Sequence, residues 1–219
     1  MLLAGDCGRV RRELRLIKIH NFARGARGQR LMWQCEEMGL PYAVENHSFP
    51  VDAAYRALNA LGTVPFLEDD NGVAINESVA MMLYVAQKYG PTPLLPVVDG
   101  AAMARIFQLT MLGETEIGMN LNTLLAAHFM APEKDKRNWS VVGLEQRVDR
   151  ALQYAATLVG GRTFLVGDDL TLAEISVCCA LGIWQGALGG VLPDELDAYQ
   201  KRLRARPTYQ RARARCAGE

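Results

Sequence analysis

The sequence predicts an α/β domain followed by an all-helical domain, and three observations support this fold class. Residues 14–90 alternate short apolar runs, typical of strands, with runs whose apolar residues recur at helical spacing. Residues 91–100, PTPLLPVVDG, hold three prolines and end in glycine, so they suit neither a helix nor a central strand. Residues 101–219 show helical patterns alone. We therefore expect domains at 14–90 and 101–219, joined by a linker at 91–100.

The first strand and the first helix come from neighbouring runs. Residues 14–22, LRLIKIHNF, are rich in Ile and Leu and suit a buried strand. Residues 28–40, GQRLMWQCEEMGL, carry apolar residues on one helical face and predict a helix that Gly39 ends. The inward face consists of Leu31, Cys35 and Met38.

A second strand and helix follow, and then a hairpin. Residues 41–49 suit a strand, and residues 52–61 suit a short helix that Gly62 ends. Residues 64–76 place FLED and VAIN on either side of Asn71-Gly72. This dipeptide favours a two-residue hairpin turn, because both turn positions need positive φ.

Residues 77–90 predict the last helix of this half, with Gly90 as its stop. Its inward residues are Val79, Met82, Leu83 and Ala86. The order is then β-α-β-α-β-β-α, with parallel pairing first and a hairpin last. We expect the helices of the second half at 101–129, 137–159, 171–188, 194–205 and 207–216.

One helix start in the second half has a specific signature. Thr171 and Glu174 form a capping box, in which each side chain accepts from the backbone N–H of the other residue. Leu170 and Ile175 occupy the two positions of a hydrophobic staple. We interpret this motif as a structural device that begins a core helix, not as a functional site.

Composition excludes several classes of protein. The 24 basic and 24 acidic residues balance, so the whole chain gives no reason to expect nucleic acid or an acidic membrane as partner. The Arg-rich tail at 201–216 is interpreted as a solvated helix face. Five scattered cysteines fit reduced thiols in a cytoplasmic protein, and three histidines make a metal site unexpected.

The amino-terminal residues suit neither a membrane span nor a signal peptide. No run of about 18 apolar residues occurs in the chain. At the start, MLLAGDCGRVRREL, the basic residues follow the apolar ones, which is the reverse of a signal peptide. We interpret residues 1–13 as a flexible extension or as the product of a start codon placed too early.

Three motifs together resemble the cytosolic glutathione transferases. They are EEMGLPY at 36–42, ALNALGTVPFLEDDNGVAINES at 57–78 and GDDLTLAEIS at 167–176. The resemblance covers nearly all of 14–216. It implies a thioredoxin-like domain followed by the family's all-helical domain, assembly as a homodimer, glutathione as co-substrate and no metal cofactor.

The resemblance also implies how glutathione is held. Thr63, Val64 and Pro65 supply a strand edge, and a cis peptide before Pro65 turns the Val64 N–H and C=O toward the cysteinyl unit. Ser78 and the start of its helix hold the γ-glutamyl carboxylate, while Glu77 pairs with the amino group. The alternatives are an ordinary turn at Val64-Pro65 and plain helix capping with Asn76 as N-cap. The family's usual Lys before the Val-Pro pair is Thr63 here.

The family's thiol-activating Tyr, Ser or Cys has no counterpart in this chain. The corresponding segments read His20-Asn21-Phe22 and Gly25-Ala26-Arg27-Gly28, and the four serines lie elsewhere. Three explanations remain open. Arg24 or Arg27 stabilises the thiolate together with loop N–H groups, Asn21 donates a hydrogen bond to it, or no group activates the thiol.

Two neighbouring residues add further expectations. Arg30 is expected to lie on the helix and to pair with Glu36, Glu37 or a partner subunit. Cys35 is expected to be buried, and the loop has no Cys. The family's thiol-reductase branches, which use a loop Cys, are therefore disfavoured.

The family places its second substrate between the domains, against the first helices of the helical half. Met103, Phe107, Met111 and Met119 suit a permissive apolar pocket, although each also suits core packing. The expected function is conjugation of glutathione to a small hydrophobic electrophile. Isomerisation and dehalogenation use the same thiolate. The alternative from another class is a catalytically silent binding or scaffold protein.

Overall fold

The structure is a computed structural model and describes residues 16–24 and 27–219. The expected extension 1–13, the first two residues of the expected strand 14–22, and Gly25 and Ala26 of the expected thiol loop lie outside the described residues. Within the described residues, no helix is long and apolar enough to cross a membrane.

The amino-terminal half has the predicted βαβαββα order, and its sheet has the strand order β2-β1-β3-β4. Strand β1 pairs with β2 in parallel, and the β1–β3 and β3–β4 pairs are antiparallel. The elements are β1 Ile17–Phe22, α1 Gln29–Met38, β2 Tyr42–His47, α2 Ala53–Leu58, β3 Phe66–Glu68, β4 Ala74–Ile75 and α3 Ser78–Tyr89.

The two faces of this sheet have different neighbours because side chains alternate along each strand. Ile17 and Ile19 of β1 are buried in the main apolar core with residues of α1 and α3. That core continues into the helical half. On the other face, a small cluster of Val51, Tyr55 and Phe66 lies under α2.

Two predicted turns differ from those observed. Helix α2 ends at Leu58, three residues before the expected end at residue 61, and Gly62 follows with φ of 62°. The hairpin turn is not the two-residue type expected for Asn71-Gly72. A 3-10 turn spans Asp70–Gly72 and Gly72 has φ of 76°, because Asp69 accepts from the Asp70 N–H and begins a longer loop.

The second half is helical throughout its regular elements, as predicted. The α-helices are α4 Gly100–Met111, α5 Met119–Met130, α6 Trp139–Val159, α7 Leu172–Leu188, α8 Asp194–Arg204 and α9 Pro207–Ala217. A π-helical segment, Leu112–Gly118, joins α4 to α5 without a break. A short 3-10 turn, Glu133–Asp135, precedes α6.

The predicted capping box begins α7. Thr171 accepts from the Ala173 N–H at 3.2 Å, and the Glu174 carboxylate accepts from the Thr171 N–H at 2.6 Å. Leu170 and Ile175 are both buried. The motif therefore has the structural role expected of it.

Helices α1 and α9 pack together and join the two halves. The rings of Trp33 and Tyr209 meet edge to face, with centroids 5.0 Å apart. Glu37 accepts from Arg206 at 2.8 Å and from the Thr208 hydroxyl at 2.5 Å. The middle and the last turn of α1 are thereby fixed against the helical half.

Candidate functional site

The predicted peptide-binding edge is at Val64, and its conformation is the expected one. The Val64–Pro65 peptide is cis. The Thr63 carbonyl accepts from the Tyr55 hydroxyl at 2.7 Å and from the Asn59 amide at 2.8 Å. Among the described residues, no hydrogen bond engages the N–H or the C=O of Val64. Both groups are therefore open to an extended ligand.

The start of α3 is the second predicted contact region. Glu77 is exposed, has φ of 69° and occupies the N-cap position without a side-chain cap. Ser78 begins the helix and is 4% exposed. The expectation that Asn76 caps the helix is wrong, because its amide donates to the Asn59 side-chain oxygen at 3.2 Å. The uncapped N–H groups of α3 remain available to an anion.

Asn59 connects these two regions, and sequence reasoning missed it. Its side-chain NH2 donates to the Thr63 carbonyl, and its oxygen accepts from Asn76. The residue is 3% exposed. Since a buried amide can satisfy a donor and an acceptor at once, it holds both loops in a fixed relation. The available signal was its place at the end of a helix before a tight loop.

The structure contradicts the expectation for Arg30. Its guanidinium is completely buried, donates to the Gly113 carbonyl at 2.9 Å and forms an ion pair with Glu114. It also donates to the Ser78 hydroxyl at 2.8 Å. The residue lies on the inner face of α1, where the adjoining helices provide buried acceptors. A buried cation needs such a partner.

The expected partners of Arg30 pair with other cations. Glu37 binds Arg206, as described above, and Glu36 accepts from Arg211 at 2.6 Å. Both carboxylates contact α9 because they lie six and seven residues, almost two turns or about 10 Å, further along α1 than Arg30. Helical periodicity identifies shared faces but not the element that a face meets.

Glu114 lies between two arginines in the π-helical segment. Its two carboxylate oxygens accept from Arg27 and Arg30. Burial of the carboxylate raises its pKa, but the charges of Arg30 and Arg27 outweigh this effect, and the pKa lies below its usual value. The site thus has a fixed negative charge that neutralises part of the arginine charge. Sequence reasoning missed Glu114, although π-helical segments are frequent at functional sites.

The three candidate thiol activators lie in different surroundings. Arg27 pairs with Glu114 and its guanidinium lies 3.7 Å from the Met119 sulfur. Arg24 is exposed, has φ of 64° and donates its N–H to the Cys216 carbonyl at 3.1 Å. It lines a groove between α7 and α9. Of the two arginines, Arg27 is the one that contacts Met119, one of the four residues predicted to receive the second substrate.

Asn21 is completely buried beneath the start of α1. Its amide nitrogen lies 3.4 Å from the Asn46 side-chain oxygen and 3.5 Å from the Cys216 sulfur. Its side-chain oxygen has no partner among the described residues. A Cβ at Gly28 would lie 2.4 Å from that oxygen, so a larger residue there would displace the buried Asn21 side chain.

Cys35 is buried, as expected. Burial of the side chain raises the pKa of the Cys35 thiol to about 12, which leaves it protonated at neutral pH. It therefore has no nucleophilic role.

The structure does not bring the predicted pocket residues together. Met103 and Phe107 line a cleft between α4 and the end of α3, with Leu83 and Pro91. Met111 lines a separate cavity between α4 and α6. Met119, at the start of α5, contacts Arg27. Met103, Phe107 and Met111 share one side of α4, but Met111 lies eight residues, about 12 Å, further along the axis than Met103, where α6 is the neighbour instead of α3.

Two family models match the chain. The model of the glutathione S-transferase N-terminal domain matches residues 26–88, and that of the C-terminal domain matches residues 120–207. The first match contains Val64, Glu77 and Ser78.

Curated relatives match parts of the chain. Glutathione S-transferase 2 of Saccharomyces cerevisiae is 30% identical over 165 residues, which are 72% of this chain and 70% of the relative. Elongation factor 1-gamma of Rattus norvegicus is 30% identical over 125 residues, which are 56% of this chain and 26% of the relative.

Solved structures match almost the whole chain. The structure of Ure2p in complex with glutathione has a TM-score of 0.80 at 20% identity and covers 91% of this chain and 98% of its own. The theta class glutathione S-transferase from the citrus canker pathogen Xanthomonas axonopodis pv. citri, with glutathione bound, has a TM-score of 0.75 at 25% identity. It covers 90% of this chain and 96% of its own.

The fold and these matches define the class of protein: a thioredoxin-like half followed by an all-helical half of the transferase type. The chain belongs to the glutathione S-transferase family.

Proposed function

We propose that this chain is a glutathione transferase that binds glutathione and presents its thiolate to a small hydrophobic electrophile. One observation carries the proposal. The unengaged N–H and C=O of Val64 and the uncapped start of α3 are held together by Asn59. Glutathione is an extended peptide with a carboxylate at each end. A strand edge beside an anion site is what such a ligand requires.

Each contact has a distinct role in this proposal. The backbone of Val64 pairs with the cysteinyl unit. Ser78 and the first N–H groups of α3 hold the γ-glutamyl carboxylate, and Glu77 pairs with the ammonium group. The Thr63 carbonyl already accepts two hydrogen bonds, so the Thr63 hydroxyl is the group left for the glycyl carboxylate of glutathione. Solved structures of the same fold with bound glutathione support glutathione as the ligand.

Among the candidate activators, the geometry favours Arg27. Arg24 lies against α9 and Asn21 is buried beneath Gly28, whereas Arg27 is partly exposed and faces the helical half. Its positive charge stabilises the thiolate over the thiol. The thiolate sulfur then attacks the electrophilic carbon and forms a C–S bond. The leaving group departs with its electron pair, and the thiol proton passes to solvent.

The contact between Met119 and Arg27 supports a pocket for the electrophile at the start of α5. Met119 is 51% exposed, and its thioether adapts to apolar ligands of different shapes. Met103 and Phe107 lie in the separate cleft beside α3, and Met111 lines the cavity between α4 and α6. Those three are therefore weaker candidates than in the sequence-based proposal.

A silent binding protein is the second candidate. Glu114, which pairs with both Arg27 and Arg30, offsets part of the charge of Arg27, and no hydroxyl or thiol occurs in residues 21–28. A relative named Elongation factor 1-gamma also supports a role other than conjugation. Such a protein would bind glutathione, if at all, without ionising it.

Calorimetric titration with glutathione in two buffers of different ionisation enthalpy separates the candidates. A buffer-dependent heat is expected, because thiolate formation releases a proton. Turnover of an activated chloronitrobenzene should accompany it. Binding without proton release or turnover supports the silent candidate, and no binding contradicts the proposed site.

A pair of variants tests the site itself. Glu77→Gln keeps the size and backbone preference of the residue but removes the charge, and we expect at least tenfold weaker binding, about 1.4 kcal/mol. Ser78→Ala removes the hydroxyl proposed to hold the γ-glutamyl carboxylate and should also weaken binding. Its matched control is Ser140→Ala, at the exposed start of α6. Glutathione affinity that is unchanged in both Glu77→Gln and Ser78→Ala would sink the assignment.

A further inference from the structure

Two histidines and a glutamate meet on the face of the sheet that α2 covers. In the parallel β1–β2 pair, His20 lies opposite Glu45, and Phe22 lies opposite His47. Side chains of His20, Glu45 and His47 therefore project from the same face. Their ligand atoms all lie within 4.8 Å of one another. This cluster is on the opposite side of the sheet from Asn21 and α1.

The distances between the ligand atoms suit a metal ion. His20 Nδ1 lies 2.8 Å from His47 Nε2 and 4.0 Å from a Glu45 oxygen. His47 Nε2 lies 3.8 Å from the other Glu45 oxygen. A tetrahedral zinc ion with ligand bonds of about 2.0–2.1 Å needs ligand atoms roughly 3.3 Å apart. Shifts of half an ångström or so in these side chains produce that arrangement.

A second carboxylate orients the buried imidazole. His20 is completely buried, and its Nε2 lies 2.7 Å from a Glu68 oxygen. An ionised carboxylate only accepts hydrogen bonds, so Nε2 carries the proton and Nδ1 presents its lone pair toward His47. Without a metal that lone pair accepts from the His47 Nε2–H, and metal binding requires the His47 proton to move to Nδ1 of the same ring. Metal-binding histidines are held in this way, with the second ring nitrogen donating to a carboxylate.

We propose that His20 Nδ1, His47 Nε2 and the Glu45 carboxylate bind a divalent transition-metal ion, with Zn²⁺ the best fit to two imidazoles and one carboxylate. Solvent completes the coordination. The His47 side chain is 11% exposed and the Glu45 side chain 47% exposed, so the ion enters from the Glu45 side. The proposal stands apart from the glutathione site and does not depend on it.

The Lys18 ammonium competes with the metal ion for the Glu45 carboxylate. Its ammonium lies 2.6 Å from a Glu45 oxygen and 3.4 Å from a Glu68 oxygen. It supplies the positive charge that the two carboxylates require. Because the lysine side chain is 41% exposed, it can swing into solvent when a divalent ion arrives. Removing the ammonium should therefore strengthen metal binding.

The experiment uses the full chain after treatment with a chelator. Zn²⁺ is titrated by calorimetry, and Co²⁺ is added separately to read the coordination geometry from its visible absorption. We expect one ion per chain and intense bands of tetrahedral cobalt. His47→Ala should weaken Zn²⁺ binding at least tenfold, whereas His128→Ala, on the exposed end of α5, should leave it unchanged.

Two further variants keep the test decisive if His47→Ala disturbs folding. Glu45→Gln changes an exposed carboxylate and should weaken binding severalfold, and Lys18→Met should strengthen it severalfold. Thermal melting without metal checks that each variant is folded. Binding that is equal in wild type, His47→Ala and Glu45→Gln places the ion elsewhere and overturns the proposal. A wild-type protein that binds no Zn²⁺ at millimolar concentration reduces the cluster to a hydrogen-bond network.

Discussion

The buried guanidinium of Arg30 donates to the Ser78 hydroxyl over 2.8 Å, and this bond joins helix α1 to the start of α3. The same guanidinium is paired with Glu114 in the helical half. One side chain thereby connects the proposed γ-glutamyl site with both halves of the protein. Stability and ligand binding should respond together when it is changed.

Replacing Arg30 by Met should destabilise the fold strongly. The substitution leaves Glu114 buried without its main partner, and breaking a buried ion pair costs about 3–5 kcal/mol. Arg150→Met, at an exposed position of α6, is the control and should change stability by less than about 0.5 kcal/mol. Urea unfolding measures both. The double variant Arg30→Met with Glu114→Met should lose less than the sum of the single losses; strict additivity contradicts the pairing.

The stabilisation from Glu114 should depend on pH. Its pKa is lowered in the folded protein, because the arginine charges outweigh the effect of burial. A group with a lowered pKa contributes stability that is present above its unfolded pKa, about 4.3 for Glu. That contribution disappears as pH falls through the lower, folded pKa. The stability difference between wild type and Glu114→Gln should therefore shrink as the pH is lowered from 5 to acid values, and a constant difference contradicts the argument.

Local patterns predicted the elements, but not the pairing of distant side chains. The αL position of Gly39, the capping box at Thr171 and the helical half follow from residues near one another in the chain. Arg30 and Glu114 are separated by 84 positions, so no local pattern indicates their contact. Periodicity placed Arg30 on α1 but did not show that this face meets a π-helical turn.

The site shows the same division. The cis peptide at Val64–Pro65 and the helix start at Ser78 were expected from the family resemblance of short motifs, and the structure has both. The separation of Met111 from Met103 depends on how α4 packs, which composition does not indicate. The prediction from Asn71-Gly72 was wrong for a different reason. This dipeptide favours a two-residue turn, but the Asp69 side chain accepts from the Asp70 N–H and a longer loop forms.

Replacing Asn59 by Ala should weaken glutathione binding, although Asn59 itself is not proposed to contact the ligand. Its loss leaves the Thr63 carbonyl and the Asn76 amide short of one partner each, which costs about 1–3 kcal/mol of stability. The loosened loops should raise the dissociation constant for glutathione about tenfold, or 1.4 kcal/mol. Asn122→Ala, on the exposed face of α5, is the control. Calorimetric titration of both variants with glutathione, well below their melting temperatures, measures the two dissociation constants. If Asn59→Ala is destabilised but binds glutathione with wild-type affinity, the proposed role of Asn59 in the site is contradicted.

Replacing Arg27 by Met should raise the pKa of the bound glutathione thiol. A neighbouring opposite charge typically shifts a pKa by about 1–3 units, so at least one unit of depression should be lost. At a pH below that pKa, one unit corresponds to about tenfold less thiolate, and kcat with an activated chloronitrobenzene should fall in proportion. The ultraviolet absorbance of the thiolate, followed against pH, gives the pKa directly.

Two comparisons make the Arg27 result specific. Arg24→Met removes a charge that lies against α9 and should leave both pKa and kcat within twofold of wild type. Glu114→Gln removes the carboxylate that neutralises Arg27, so the thiol pKa should fall below that of wild type. An Arg27→Met protein with an unshifted thiol pKa and full turnover would show that main-chain N–H groups alone ionise the thiol. A fall in pKa with Glu114→Gln but not with the double variant Arg27→Met, Glu114→Gln would assign the effect to this one guanidinium.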